Sequence, residues 1–195
     1  MIKDSLGVMQ DLAAYRNPKT RLSRLLKAGA LTQVRRGLFV EGEAPPAITL
    51  ASVIYGPSYL SFQFALAFHG IIPERVTVFT SASYGKNKNK SFSTPFGEFT
   101  YEYLPSAVYA YGIERREEGG SPYLIASPEK ALADAVYKIS GIVGPDDIQE
   151  LLFEDWRIEP DDLSRLDWQQ ILEWSPLYRR RPVASLAVWG VKTYA

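Results

Sequence analysis

The chain has 195 residues, 46% of them hydrophobic and 23% charged, and its acids and bases balance to a formal net charge of zero. That usage is ordinary for globular proteins, so extensive disorder is excluded and there is enough chain to bury a core. With no cysteine and a single histidine, His69, disulfides, thiolate metal sites, a cysteine nucleophile and multi-histidine metal sites are excluded as well.

The first residues, Met1-Ile2-Lys3-Asp4, hold no apolar signal core, and the expectation is a reducing, cytoplasmic compartment. Leu6, Met9, Leu12 and Ala13 recur at helical spacing and predict a helix over about Ser5–Tyr15. Asn17-Pro18 reads as an N-cap with proline in the first helical position, opening a helix that runs to about Ala28 and stops at Gly29. Leu31–Val34 and Leu38–Val40 flank Arg35-Arg36-Gly37 and predict a two-stranded hairpin. The polar, proline-containing stretch Glu41–Pro46 is a linker between a first unit, 1–42, and a second, 47–195.

Ala44 to Pro73 contains no charged residue. Gly56-Pro57 breaks the run into halves too short to span a bilayer, so it reads as buried core. Within it, Ile48–Tyr55 and Phe62–His69 are predicted helices, with Tyr59–Ser61 extended between them. Further strands are predicted over Arg75–Thr80 and around Phe99–Tyr103, where aromatics alternate with polar residues. Tyr84–Ser91 reads as an exposed, basic hairpin loop, and Tyr109–Arg116 with Pro122–Ala126 as a hairpin around Glu-Glu-Gly-Gly. Ser127-Pro128 opens a helix to about Ile139, and shorter helices follow near Pro145–Phe153, Pro160–Leu166, Trp168–Trp174 and Pro182–Tyr194. The predicted class is α+β.

The zero net charge hides a split. Arg16 to Arg36 holds seven basic residues and no acid, whereas Pro145 to Trp174 holds ten acids against Arg157 and Arg165. Such asymmetry points to a nucleic-acid face at the basic end. On a helical wheel, Leu22, Leu25 and Leu26 share one face of the 18–28 helix, while Lys19, Thr20, Ser23, Arg24 and Lys27 occupy the other and Arg21 its flank. Arginine and lysine on such a face bind phosphates or guanine edges, and Thr20 and Ser23 are short enough to contact either. Arg35 and Arg36 would lie beside the duplex as a wing. The competing reading is a solvated amphipathic helix and a charged turn.

The segment from Asn17 to Leu31, followed by Val34-Arg35-Arg36-Gly37-Leu38-Phe39-Val40, resembles the winged-helix end of the AbiEi family, antitoxins and transcriptional regulators of type IV toxin–antitoxin systems. Pro57–Ser61, Ala65–Glu74, Thr94–Phe99 and Ile125–Leu132 resemble that family's second domain in the same order, so the likeness covers roughly residues 9–140. The resemblance implies a non-enzymatic repressor that binds double-stranded DNA at its own promoter, with no cofactor. It also implies an antitoxin against a nucleotidyltransferase-like toxin. Many members carry a three-helix winged domain; only about 16 residues precede the basic helix here, so the first helix is short or missing. The expected architecture is thus α+β, with a reduced winged helix–turn–helix at the amino terminus followed by a larger mixed domain. An alternative is a protein-interaction module that neutralises a toxin by direct binding without reading DNA sequence.

Other features carry less. His69 ends a helix among aromatics and reads as a hydrogen-bonded core residue. Gly85-Lys86-Asn87-Lys88-Asn89-Lys90-Ser91 lacks the glycine a phosphate loop needs before its Lys-Ser pair. Asp146-Asp147 and Asp161-Asp162 each follow a proline, where first-turn acids complement the helix dipole without any metal. The tail aromatics Trp156, Trp168, Trp174, Tyr178 and Trp189 read as core. No acid–lysine or glycine–serine–acid pattern of a nucleic-acid enzyme is present.

Overall fold

Strand pairing at the amino terminus begins with the second residue. The structure, a computed structural model, describes residues 1–195. The first unit is β1 (Ile2–Asp4), α1 (Ser5–Asp11), α2 (Pro18–Lys27), β2 (Leu31–Arg35) and β3 (Leu38–Glu41). Its three strands form an antiparallel sheet in the order β1-β3-β2, with Ile2 opposite Val40 and Leu31 opposite Glu41. The strand β1 was not expected from sequence; three residues are too few to show a period, and its partner lies 38 positions away. The first helix also ends at Asp11 rather than near Tyr15. Asp4 caps it, its carboxylate accepting from the Gly7 N–H at 2.7 Å.

Leu38, Phe39 and Val40 are all buried, so β3 is covered on both faces. Phe39 joins Val8, Leu12 and Leu31 in a small cluster under Leu22, Leu25 and Leu26 of α2. Val34, Leu38 and Val40 belong instead to the main cluster of 42 buried residues that runs on to Trp189. The first unit therefore rests one sheet face on the second, which supplies area that two short helices lack.

The second unit starts with a 3₁₀ turn (Ala47–Leu50) and α3 (Ala51–Ile54), in place of the single helix expected over 48–55. It continues through β4 (Ser58–Leu60), α4 (Phe62–Phe68), β5 (Phe79–Ser83), β6 (Lys90–Thr94), β7 (Gly97–Tyr103), β8 (Ile113–Glu118) and β9 (Ser121–Ala126). These strands form one mixed sheet, ordered β6-β7-β5-β4-β9-β8, in which β5 with β7 and β4 with β9 are parallel. Helices α5 (Pro128–Tyr137), α6 (Pro145–Gln149), α7 (Pro160–Ser164), α8 (Trp168–Tyr178) and α9 (Arg181–Tyr194) complete the chain, with a π turn at Glu150–Asp155 after α6. The class is mixed α+β, and no helix is long and apolar enough to cross a membrane.

Two strand expectations are corrected. The strand predicted over 75–80 begins only at Phe79, since Val76 and Val78 pack as irregular chain. The segment after Tyr84 is not a hairpin loop. β5 pairs with β7 and β6 lies on the outer side of β7, so residues 84–89 form a crossover around the end of β7, and Lys90 already belongs to β6. A hairpin and a crossover have the same polar signature; only the pairing separates them.

Tyr59, Tyr101 and Tyr178 are almost fully buried. Burial pushes their phenols well above the ordinary 10.0, and lifts Tyr109 to about 12. A raised folded-state value means stability present below pH 10 and lost as the pH rises through the raised values, because the unfolded chain ionises first. Denaturant titrations at rising pH are expected to show stability falling above pH 10, with the buried phenolates appearing only together with unfolding. Parallel ionisation of all tyrosines in the folded protein would contradict this packing.

Candidate functional site

Helix α2 is fixed at its start and along its back. The Asn17 side chain accepts from the Thr20 N–H at 3.2 Å, and Pro18 occupies the first turn. Leu22, Leu25 and Leu26 are half-buried against Val8, Leu12, Leu31 and Phe39. The wheel then forces the opposite face outward, and Lys19, Thr20, Ser23, Arg24 and Lys27 are all exposed.

Arg21 is placed differently. It is half-buried, its guanidinium lies 5.0 Å from the Tyr15 ring centroid, and its Nε is buried with no hydrogen-bond partner. That stacking holds Arg21 on the flank of the basic face.

The two arginines of the turn between β2 and β3 also part company. Arg36 is exposed at the tip, beside Gly37, whose φ of +85° suits the tight turn. Arg35 is half-buried and turns inward: its Nε donates to the Ile54 carbonyl at 2.6 Å and its Nη1 to the Arg36 carbonyl at 2.9 Å. Arg35 is thus a strut from the first unit to α3, and the exposed part of the turn is short.

None of the eight residues singled out from sequence makes an ion pair; the seven ion pairs of the structure lie elsewhere. Arg24 and Lys27 stand in the last turn of α2, where the helix dipole favours cations. The arrangement is an unneutralised, donor-rich face, suited to a polyanion.

The other sequence candidates have local partners. The His69 Nε2 lies 2.8 Å from the Ala126 carbonyl, tying α4 to β9. Asp147 sits in the first turn of α6, where it accepts from the Val143 and Gly144 N–H groups at 2.6 and 2.9 Å. Those donors hold its carboxyl below the usual carboxylate range. Asp162 pairs with Arg165 at 3.1 Å within α7 and its flank. Trp168, Trp174, Tyr178 and Trp189 are core, and Trp156 is half-buried.

Sequence reading missed a buried polar cluster. Lys130 and Asp134, one turn apart on α5, are both fully buried and 2.5 Å apart. Asp134 Oδ1 also accepts from the Tyr178 hydroxyl at 2.5 Å, and Oδ2 from Tyr59 at 2.9 Å and Ser61 at 2.7 Å. Lys130 Nζ donates to Tyr178 as well, at 2.9 Å. Burial pushes the Lys130 ammonium down, against the pull of Asp134. The cluster ties α5 to β4 and α8 inside the core, out of a substrate's reach. Its only sequence signal was a Lys/Asp pair at i,i+4 in an alanine-rich helix, a spacing that on exposed helices means a surface pair. No protein-family model matches the chain, and no curated protein matches it.

Proposed function

We propose that this chain is a non-enzymatic, cytoplasmic regulator that binds double-stranded DNA at its own promoter through α2. Its larger unit then serves as the antitoxin of a type IV pair, opposing a nucleotidyltransferase-like toxin. The observation that carries the DNA reading is the exposed face of Lys19, Thr20, Ser23, Arg24 and Lys27, unpaired and on a helix anchored by its apolar back. The order strand, helix, helix, strand, strand, with β1 beside β3 and β3 beside β2, supports reading the first unit as a winged helix–turn–helix. In that frame α1 crosses the backbone, α2 enters the major groove and Arg36 approaches the flanking phosphates. The antitoxin role rests on the resemblance of 57–61, 65–74, 94–99 and 125–132 to AbiEi proteins.

The test is fluorescence anisotropy with DNA from upstream of the protein's own coding sequence against scrambled duplex, at several salt concentrations. Preferential binding with a log–log salt slope of about −3 to −5 is expected, for three to five phosphate contacts. Arg24→Ala should cost about 1–3 kcal/mol and relax one base position if Arg24 reads guanine; Lys27→Ala should weaken both DNAs alike and flatten the slope by about 1. Equal, weak binding to both DNAs that is indifferent to these changes would overturn the reading.

A second reading has its own support. The exposed acids of the carboxy-terminal part, among them Asp146, Glu150, Glu154, Asp155 and Glu159, suit a basic protein partner, and a toxin captured there needs no DNA. Mutual exclusion of toxin and DNA would place both on α2; simultaneous binding would assign them to different faces.

A further inference from the structure

One end of the six-stranded sheet carries exposed aromatic rings and unneutralised cations. β5 and β7 are parallel neighbours with Ser83 opposite Tyr103, so β5 runs out into Tyr84 where β7 ends at Tyr103. These rings are 45% and 39% exposed, unusual for side chains that large. Tyr84 does not hang free: it leans on Tyr109 at 4.9 Å between centroids, and Tyr109 leans on buried Tyr59 at 5.0 Å. Lys138, just past α5, stands 4.8 Å from the Tyr103 ring centroid, and Arg180 stands 5.5 Å from that of Tyr137.

The crossover from β5 to β6 adds exposed Lys88 and Lys90. It is held against the same end of β7, since Lys90 pairs with Tyr101 and the Asn89 Nδ2 donates to Glu102 at 2.8 Å. Lys88, Lys90 and Arg180 make no ion pair; Glu102, the acid in contact with this surface, is taken by Lys138 at 2.6 Å. Supported rings flanked by free cations match what an unpaired nucleic acid strand offers, π faces strung on phosphates. A duplex offers phosphates and base edges but no free π faces, because its bases are already stacked.

We propose that this end of the sheet is a second nucleic-acid site, separate from α2, which binds single-stranded RNA or DNA by stacking bases on Tyr84 and Tyr103. Lys88, Lys90 and Arg180 take the phosphates. The site is independent of the operator reading, since it shares no residue with α2. Nothing on it selects the sugar, so both single strands are expected to bind and with little sequence preference.

The experiment is an anisotropy titration of the full chain with fluorescein-labelled oligo(U) and oligo(dT), at low and moderate salt. Binding of both probes, with comparable affinity, is expected. Tyr84→Ala and Tyr103→Ala should each weaken it about five- to hundredfold, the measured range for losing one stacked base. Tyr103→Phe should keep it, and at moderate salt, where the phosphate-only attraction of α2 is screened, Arg24→Ala/Lys27→Ala should weaken it less than either alanine change at tyrosine. Tyr84 supports Tyr109, so Tyr103→Ala with its thermal melt is the cleaner variant. Failure of both probes to bind would overturn the proposal. So would a loss on the α2 substitutions as large as that on either alanine change at tyrosine, or loss on Lys88→Ala/Lys90→Ala with full tolerance of both alanine changes at tyrosine. The first supporting pattern stands even if operator DNA is not recognised, and the operator result stands even if these probes fail.

Discussion

Replacing Asp134 with alanine is expected to lower the unfolding free energy by about 3–5 kcal/mol, the cost of leaving one partner of a buried pair alone. Against a total of about 5–15 kcal/mol for a protein of ordinary stability, that is enough to bring much of the population to unfolding near physiological temperature. Asp134 accepts from an ammonium and three hydroxyls. Its loss strips Lys130 of its counter-charge in a site the structure leaves wholly buried. The damage is asymmetric. Lys130→Met removes the desolvated cation and leaves a carboxylate still held by Tyr59, Ser61 and Tyr178, so it should cost clearly less. Urea unfolding of the two single variants and the double variant measures this. An Asp134→Ala change as mild as Lys130→Met would show that the cluster admits water and that the burial argument fails.

Gly190→Ala in α9 is expected to destabilise, although alanine in an exposed helix interior is favoured over glycine by about 1 kcal/mol. A Cβ built at Gly190 falls 1.8 Å from Cε3 of Trp168. The indole cannot swing aside easily. Its Nε1 donates to the Leu163 carbonyl at 2.8 Å, it stacks on Tyr194 at 5.8 Å, and it meets Trp189 edge-on at 5.7 Å. Forcing a methyl into a core packed this tightly costs about 1–3 kcal/mol, which outweighs the gain in helix propensity. In a Trp168→Leu background the penalty should shrink, since the ring it strikes is gone, and the difference is the coupling energy of the pair, about 0.5–3 kcal/mol for residues in contact. A rise in the urea midpoint of Gly190→Ala alone would contradict the close approach of α9 to α8.

The candidate face on α2 was legible because every part of it is local. Asn17-Pro18 marks the cap, Gly29 ends the helix, and three leucines at helical spacing leave only one side for the cations. The fate of Arg35 was not legible. Beside Arg36 it looked like half of an exposed turn, and only the approach of Ile54 gives its guanidinium a carbonyl to bind. The tyrosines at the sheet end were equally silent, because Tyr109 supports Tyr84 from a distant turn and Tyr103 comes to the same sheet end only through the pairing of β5 with β7.

The sequence by itself determined where most helices start, which face of α2 is apolar, that four of the five tail aromatics are core, Trp156 being only half-buried, and that the chain is α+β. Caps, periods and turn residues act over three to seven positions, and that is the range at which a sequence can be read. The tertiary structure alone decided that β1 exists, that β6 lies outside β7 rather than folding back on β5, and that Lys130 and Asp134 sit in the core instead of on the surface. Each of these depends on groups brought together from distant parts of the chain. Pairing of a three-residue strand and burial of a charge are favourable only once those partners are in place.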